Sequence, residues 1–330
     1  MNIEPPSKAI PVAAAPTICY TDSEQKAEKQ VIYGETGMNS HEKLDGMTYY
    51  LDQNSYELTD KLYGLKERVL KPFIKEYLYK KYPDEDSRKS ALKKCSHFKK
   101  LYHDRCSVNE IISNMDISAL CYLIKDNYLL GSSNTNLACR CIRIRNIEAH
   151  KGTENIKDIC LISAFYVIYT ASKIMLGEEN AETKKFRKNY YSILVKNKDL
   201  GERPETNIQC RDCLETALGT LSEIVGFSKT GSDYYGLFDY FEDNYVKQAK
   251  NEKTIIDNMH HEAKEANIYI THNDTDPHEA LYLLFALYRL AYCFDEKSDY
   301  GMKSDSIIRL YGQLYKSKIL PRLKEIESEL

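Results

Sequence analysis

Residues 137–152 have the sequence LACRCIRIRNIEAHKG, and the spacing of four apolar residues at i, i+4, i+7 and i+10 in this stretch indicates an amphipathic helix. Its apolar residues recur at helical spacing and should share one face: Leu137, Cys141, Ile144 and Ile147. We therefore expect this face to pack against the core of a helical protein.

The polar residues of the stretch come at the end of the predicted helix. At about 100° per residue, Arg143, Asn146 and His150 should project from the side opposite the apolar face, with Arg145 at the edge between the two sides. The lysine and glycine at 151–152 should end the helix, because a cation suits the last turn and a glycine suits the cap. A small bend there would bring Arg145 and His150 to a common point.

Such a pair suits cleavage of a phosphodiester bond. Histidine titrates near neutral pH and can take the proton of an attacking 2′-hydroxyl. Arginine stays charged and offers a planar fork to phosphate oxygens, so Arg145 could stabilise the charge of the transition state. Asn146 could orient either partner. Because the nucleophile belongs to the RNA itself, this chemistry needs no metal ion.

The pattern Arg145, Asn146 and His150, set between a helix that starts near Asp116 and a long apolar helix, resembles the HEPN family of ribonucleases. The resemblance covers about residues 116 to 177. It implies an all-α, HEPN-like bundle, a metal-independent endoribonuclease, and a site completed by two such motifs across a homodimer. It also implies a toxin–antitoxin, antiviral or RNA-processing setting, with an antitoxin or regulatory partner.

Two alternatives to catalysis stay open. The first is a surface helix end whose arginines and histidine have no role beyond solubility and a favourable interaction with the helix dipole. The second is a non-catalytic HEPN-like scaffold for dimerisation or for RNA or protein binding. No other histidine of the chain has an arginine five to seven positions before it, so one chain carries one Arg/His pair.

Composition sets the broad class. The chain has 330 residues and a net charge of −3, so any affinity for nucleic acid must come from local basic patches. Its ten cysteines are scattered and its N-terminus has no apolar core, which predicts reduced thiols in a cytoplasmic protein. Tyrosine is abundant, at 27 residues, and recurs at helical spacing, which favours packing over base stacking.

We predict neither a metal site nor a cofactor. Cys210 and Cys213 form a CxxC pair within a helical pattern, and the sequence has no second pair at zinc spacing. The sequence also lacks a glycine-rich phosphate loop.

Three regions are expected along the chain. Residues 1–45 contain four prolines without periodicity and should be a disordered tail. Residues 46–200 should form the HEPN-like bundle, and residues 201–330 a helical C-terminal extension. The boundary is placed at Gly201 to Pro204, a charged break between two helical patterns.

Two basic segments are candidates for contact with an RNA backbone. The stronger is the helix predicted over 181–198, where basic and aromatic residues interleave; the weaker is a helix predicted over 85–103. The RNA-binding residues that we predict are Arg143, Lys151, Lys184, Lys185, Arg187 and Lys188. The alternative for both helices is a solvated face.

Local signals predict several helix ends. A capping box runs from Ser107 to Glu110, Asp116 should cap the next helix, and the sequence from Asp276 to Glu279 should start another. The apolar stretch 156–176 is interrupted by polar residues, so we predict a buried central helix and no membrane span.

Overall fold

The computed structural model describes residues 42–44, 47–49, 53–93, 106–127, 129–131, 135–149, 158–201, 204, 208–228, 234–241, 243–244, 253–272, 276–295, 303–323 and 325. The chain divides into two units, residues 1–50 and residues 51–330. In the first unit, strands β1 (Glu42–Leu44) and β2 (Met47–Tyr49) form an antiparallel hairpin. The predicted tail, 1–45, otherwise lies outside the described residues.

The described part of the second unit is helical, which confirms the prediction of an all-α fold. Its helices are α1 (Gln53–Leu65), α2 (Lys71–Lys81), α3 (Glu85–Lys93), α4 (Val108–Asn114), α5 (Ile117–Asp126), α6 (Thr135–Ala149), α7 (Asp158–Leu176), α8 (Ala181–Lys196), α9 (Cys210–Val225), α10 (Tyr235–Phe241), α11 (Lys253–Thr271), α12 (Pro277–Asp295) and α13 (Asp305–Leu314).

Two prolines interrupt long helices in the same way. A π-helical turn, Lys66–Leu70, joins α1 to α2 directly before Pro72, and a second one, Tyr315–Ile319, follows α13 directly before a 3₁₀ turn that contains Pro321. Proline has no N–H to donate and its ring clashes with the carbonyl four residues earlier. A widened turn next to the proline relieves this clash.

Helix ends follow the local signals. The side chain of Ser107 accepts a hydrogen bond from the backbone N–H of Glu110, and the Glu110 carboxylate accepts one from the backbone N–H of Ser107, so the predicted capping box is confirmed. Asp116 Oδ1 accepts a hydrogen bond from Ala119 N at 2.7 Å and caps α5, as predicted. Gly226 ends α9 in the left-handed conformation.

Helix α7 lies at the centre of the bundle. It is long and apolar enough to cross a bilayer by length and composition, but 72% of its apolar window is buried inside the fold. It packs against α1, α6, α8 and α12. This burial confirms the prediction of a central core helix.

The residues on either side of position 200 share one core. Residues 51–330 form one compact unit, in which α7 from the first predicted region packs against α12 from the second. Gly201, at the predicted boundary, adopts a φ of +74°, and a Cβ placed on it would lie 2.4 Å from Gly312 Cα in α13. The predicted boundary is therefore a site of close backbone contact.

Candidate functional site

Helix α6 carries the candidate site and is buried around most of its circumference. It packs against α1, α5, α7 and α11. The predicted apolar face is confirmed, since each of its four residues is buried: Leu137, Cys141, Ile144 and Ile147. Ala138, Cys139 and Ile142 are buried as well, which leaves few positions of this helix in contact with solvent.

Arg140 forms a buried ion-pair cluster with two carboxylates from the C-terminal helices. Its Nη2 lies 2.6 Å from Glu265 Oε2 of α11, and its guanidinium donates two hydrogen bonds to the carboxylate of Glu279 in α12. The guanidinium also lies over the ring of Tyr282, 4.4 Å from its centroid. Burial lowers the pKa of Arg140, but the charges of Glu279 and Glu265 outweigh that effect and raise it well above its ordinary value.

Arg143 lies one turn further along the same side of α6. It is buried, and its Nη1 donates a hydrogen bond to the hydroxyl of Tyr282 at 3.1 Å. Burial lowers the pKa of Arg143. The expectation that Arg143 faces solvent, where RNA could contact it, is therefore wrong. The reason is that α11 and α12 cover this side of α6, and the partners of its arginines are 125 and 139 residues further along the chain.

The cluster extends to α7 and α8 through tyrosines and a histidine. Tyr166 OH donates a hydrogen bond to Glu279 Oε2 at 3.0 Å, and a hydrogen bond of 2.7 Å joins Tyr190 OH to Nδ1 of His278. The ring of Tyr166 contacts those of Tyr190, His278 and Tyr282. Burial raises the pKa of Tyr166 and of Tyr190 well above the ordinary value, so both tyrosines stay neutral.

Sequence patterns did not point to this cluster. The start of α12 was predicted correctly, with Asp276 Oδ1 accepting a hydrogen bond from the backbone of His278 at 2.9 Å. That signal places His278 and Glu279 in the first turn of a helix, but it contains nothing about the distant helices that bury them. One signal in the sequence could have indicated the cluster. Glu265 and Glu279 each lie on an otherwise apolar helix face, and a buried carboxylate needs a cationic partner.

Arg145 differs from the other two arginines of α6. At about 100° per residue it lies about 140° round the helix from Arg140, and 29% of its side chain is exposed. Its Nη1 donates a hydrogen bond to Asn146 Oδ1 at 3.3 Å, and its Nη2 lies 3.6 Å from Asp116 Oδ2, at the N-terminus of α5. Two of the three predicted catalytic residues, Arg145 and Asn146, are therefore in contact at the last turn of α6.

His150 and Lys151 lie outside the described residues. The last residue of α6 is Ala149, so His150 follows it directly in the chain. The predicted helix end at 151–152 lies outside the described residues as well. The roles of His150 in proton transfer and of Lys151 in RNA binding stay predictions.

The basic residues of α8 lie on its surface. Lys184, Lys185 and Lys188 are exposed, and Arg187 is half-buried. Acidic residues from the turn before the helix lie close to two of them: Lys184 Nζ is 2.7 Å from Glu179, and Arg187 Nη1 is 3.5 Å from Glu178. Exposure makes these side chains accessible to RNA, while the two glutamates offset part of their charge. Their binding role stays a prediction.

The cysteines of the CxxC pair are buried at the start of α9. Burial raises the pKa of both Cys210 and Cys213, that of Cys213 to about 12, so neither thiol ionises near neutral pH. Within the described ranges, no group of three or more His, Cys, Asp and Glu side chains is arranged to hold a metal ion.

Comparison of the chain with models of known protein families, with curated proteins and with solved structures finds no match.

Proposed function

We propose that this chain is a metal-independent endoribonuclease of HEPN type that cleaves single-stranded RNA with Arg145, Asn146 and His150. The observation that supports the proposal is that the three arginines of α6 differ in burial and in their partners. Arg140 and Arg143 are buried and bonded to C-terminal side chains, whereas Arg145 is part-exposed at the last turn, beside Asn146. A guanidinium at that position can reach a phosphate without leaving the helix.

The roles follow from the chemistry of each group. His150 takes the proton of a 2′-hydroxyl, whose oxygen attacks the adjacent phosphorus. The 5′-oxygen of the next nucleotide leaves and receives a proton, which gives a cyclic phosphate end and a 5′-hydroxyl end. Arg145 stabilises the charge on the phosphoryl oxygens, and Asn146 holds the guanidinium in place through the contact at 3.3 Å.

One chain carries one Arg/His pair, and the reaction benefits from one group that accepts a proton and another that donates one. A homodimer with a twofold axis would supply the second pair from the same surface of its other subunit. RNA would approach along α8, with Lys184, Lys185, Arg187 and Lys188 contacting its backbone. A toxin or antiviral role in the cytoplasm, with an antitoxin or regulatory partner, belongs to the same proposal.

A second candidate is a non-catalytic helical scaffold. It is favoured by the buried cluster itself, because Arg140 and Arg143 show that α6 uses arginine for structure. Arg145 also lies near a carboxylate, that of Asp116, so a purely structural role would extend an existing pattern.

The two candidates differ in one measurement. Full-length protein is incubated with a fluorescently labelled single-stranded RNA in EDTA, and His150→Ala and Arg145→Ala are purified and assayed in parallel. We expect the wild type to cleave and both variants to lose cleavage, with thermal midpoints close to that of the wild type. Lys173→Gln, on α7, controls for loss of a surface cation. Absence of cleavage by the wild type would favour the scaffold, and equal cleavage by the wild type and His150→Ala would exclude His150 as the residue that accepts the proton.

A further inference from the structure

Asp116, at the N-terminus of α5, faces Arg145 from a second helix. Its Oδ2 lies 3.6 Å from Nη2 of Arg145, while Nη1 of the same guanidinium donates a hydrogen bond to Asn146 Oδ1 at 3.3 Å. The two terminal nitrogens of Arg145 are therefore directed at oxygens that belong to two different helices. No step of the reaction proposed above uses Asp116.

The start of α5 holds the carboxylate of Asp116 in one orientation. Its Oδ1 accepts a hydrogen bond from Ala119 N at 2.7 Å, and its backbone carbonyl accepts one from Leu120 N at 3.1 Å. Because Oδ1 is bound to the helix, Oδ2 has little freedom and stays directed at Arg145. The helix itself is anchored by buried residues such as Ile117 and Leu120, and it packs against α6.

Both charged groups of this pair are accessible to a ligand. The exposed fraction of the side chain is 55% for Asp116 and 29% for Arg145. Their separation of 3.6 Å is longer than the roughly 2.7–2.9 Å of a charge-assisted hydrogen bond, so the carboxylate attracts the guanidinium without binding it tightly. A guanidinium has more N–H donors than these two contacts use, so Arg145 can also donate to phosphate oxygens.

We propose that Asp116 is a positioning residue of the ribonuclease site, which orients the Arg145 guanidinium before RNA binds. This inference rests on the ribonuclease activity proposed above. An arginine side chain has many rotamers, and its charge stabilises a transition state best when its orientation is already fixed. Asn146 holds one end of the planar guanidinium and Asp116 attracts the other, so two points of the group are restrained.

The charge of Asp116 has the opposite effect on RNA binding. A carboxylate beside Arg145 repels the phosphate that the guanidinium attracts, because like charges a few ångströms apart oppose each other. Removing this negative charge should therefore slow the cleavage of bound RNA without weakening RNA binding. If Asp116 only capped α5, a variant that keeps the cap would cleave bound RNA at the wild-type rate.

Two substitutions separate the charge of Asp116 from its capping role, because asparagine and serine also cap helix N-termini. In Asp116→Asn, the amide oxygen should accept the hydrogen bond from Ala119 N, which leaves the amide nitrogen facing Arg145, and two donors cannot pair. In Asp116→Ser, no atom takes the place of Oδ2.

Asp126→Asn is the matched control, since it removes an exposed carboxylate from the other end of α5. At about 1.5 Å per residue, this carboxylate is about 15 Å from the position of Asp116. That distance exceeds the screening length of about 8 Å at physiological salt, so Asp126 should have little influence on Arg145.

The test makes two measurements on the full-length protein. Fluorescence anisotropy gives the Kd for a 2′-O-methylated RNA, which lacks the attacking hydroxyl, and single-turnover cleavage of the unmodified RNA at saturating enzyme gives the rate of the bound complex. We expect both Asp116 variants to cleave at least tenfold more slowly than the wild type, to bind the methylated RNA at least as tightly, and to melt at a similar temperature. Asp126→Asn should match the wild type in both measurements.

The outcomes separate this inference from the proposed function. Wild-type cleavage rates in the Asp116 variants, or equal slowing in Asp126→Asn, would overturn the positioning role and leave the ribonuclease intact. Slow cleavage together with weaker RNA binding would also overturn it, and so would a slow Asp116→Asn beside a normal Asp116→Ser, which would trace the effect to the introduced amide. Absence of cleavage by the wild type itself would overturn the proposed function, and this inference with it.

Discussion

At the scale of single residues, the three arginines of α6 show how one residue type takes different roles within six positions. Arg140 and Arg143 face α11 and α12 and are buried, whereas Arg145 points away from them and stays part-exposed. The sequence placed all three on one helix. It could not distinguish them, because the carboxylates and the tyrosine that bury the first two lie more than 120 residues away.

This difference predicts unequal losses of stability. Arg140→Leu leaves the carboxylates of Glu265 and Glu279 buried without their main cation, and removing one partner of a buried ion pair costs about 3–5 kcal/mol. Arg145→Leu removes a part-exposed contact at 3.6 Å, which is worth about 0–1 kcal/mol. Urea unfolding of the two variants and the wild type measures both values. Similar losses in the two variants would show that the Arg140 cluster adds no more than a surface pair.

His278 predicts a dependence of stability on pH. Burial lowers its pKa from 6.5, and the positive charge of Arg322 acts in the same direction, while Asp276 opposes them. The folded protein therefore holds His278 neutral, hydrogen-bonded to Tyr190, and the unfolded chain binds the extra proton below about pH 6.5. Neutral His278 makes its full contribution to the free energy of unfolding above that pH. This contribution is lost as the pH falls through the pKa of His278 in the folded protein.

The measurement is the free energy of unfolding at pH 7.5 and at pH 5.5, for the wild type and for His278→Gln. Glutamine keeps a neutral hydrogen-bonding partner for Tyr190 and cannot titrate. We expect the wild type to lose more stability than the variant over this interval. Equal losses would mean that other groups account for the whole pH dependence.

At the scale of helices, the ends were predicted well because their determinants are local. The capping box at Ser107, the cap at Asp116 and the start at Asp276 each depend on side chains within three residues of the helix end. The break at Gly201 was also recognised from its composition, but its packing was not. A glycine in sequence indicates a turn, and it does not reveal which backbone will approach it.

We therefore expect alanine to destabilise the fold more at Gly201 than at Gly131, although the two glycines have the same backbone conformation. Gly201 and Gly131 both have a φ of +74°, so alanine at either position costs about 1–2 kcal/mol of backbone strain. A Cβ at Gly201 would also meet the backbone of Gly312 at 2.4 Å, whereas one at Gly131 meets nothing within 4 Å. Gly201→Ala should lower the free energy of unfolding by about 1–3 kcal/mol more than Gly131→Ala, the cost typical of overpacking.

Chemical unfolding of the two alanine variants tests this directly. Equal destabilisation would mean that α13 moves aside at no cost, and the close contact between the end of α8 and α13 would then contribute nothing to stability.

At the scale of the whole molecule, the C-terminal helices complete the fold around α6. Glu265, Glu279 and Tyr282 belong to α11 and α12, and they hold the two inner arginines of the helix whose end carries Arg145. The sequence predicted residues 201–330 as a helical extension, because Gly201 to Pro204 has the composition of a break between two helical patterns. The structure instead makes these helices part of the core that fixes the orientation of α6.

The proposed composite site predicts that two inactive variants restore each other. A wild-type dimer would bring two copies of Arg145 and two of His150 to one cleft. An Arg145→Ala homodimer lacks the arginine altogether, and a His150→Ala homodimer lacks the histidine. A mixed dimer keeps one of each, from opposite subunits. The two variants are co-expressed with different affinity tags, and the mixed dimer is purified through both tags. It should cleave RNA faster than the sum of its two parents but more slowly than the wild type, because only one histidine remains and water must donate the proton to the leaving oxygen. The control is the doubly tagged dimer of Arg145→Ala with itself, which should stay inactive. If the mixed dimer is no more active than its parents while the wild type cleaves RNA, one arginine and one histidine from opposite subunits do not suffice. A wild type that sediments as a monomer while it cleaves RNA would then show that the site is complete within one chain.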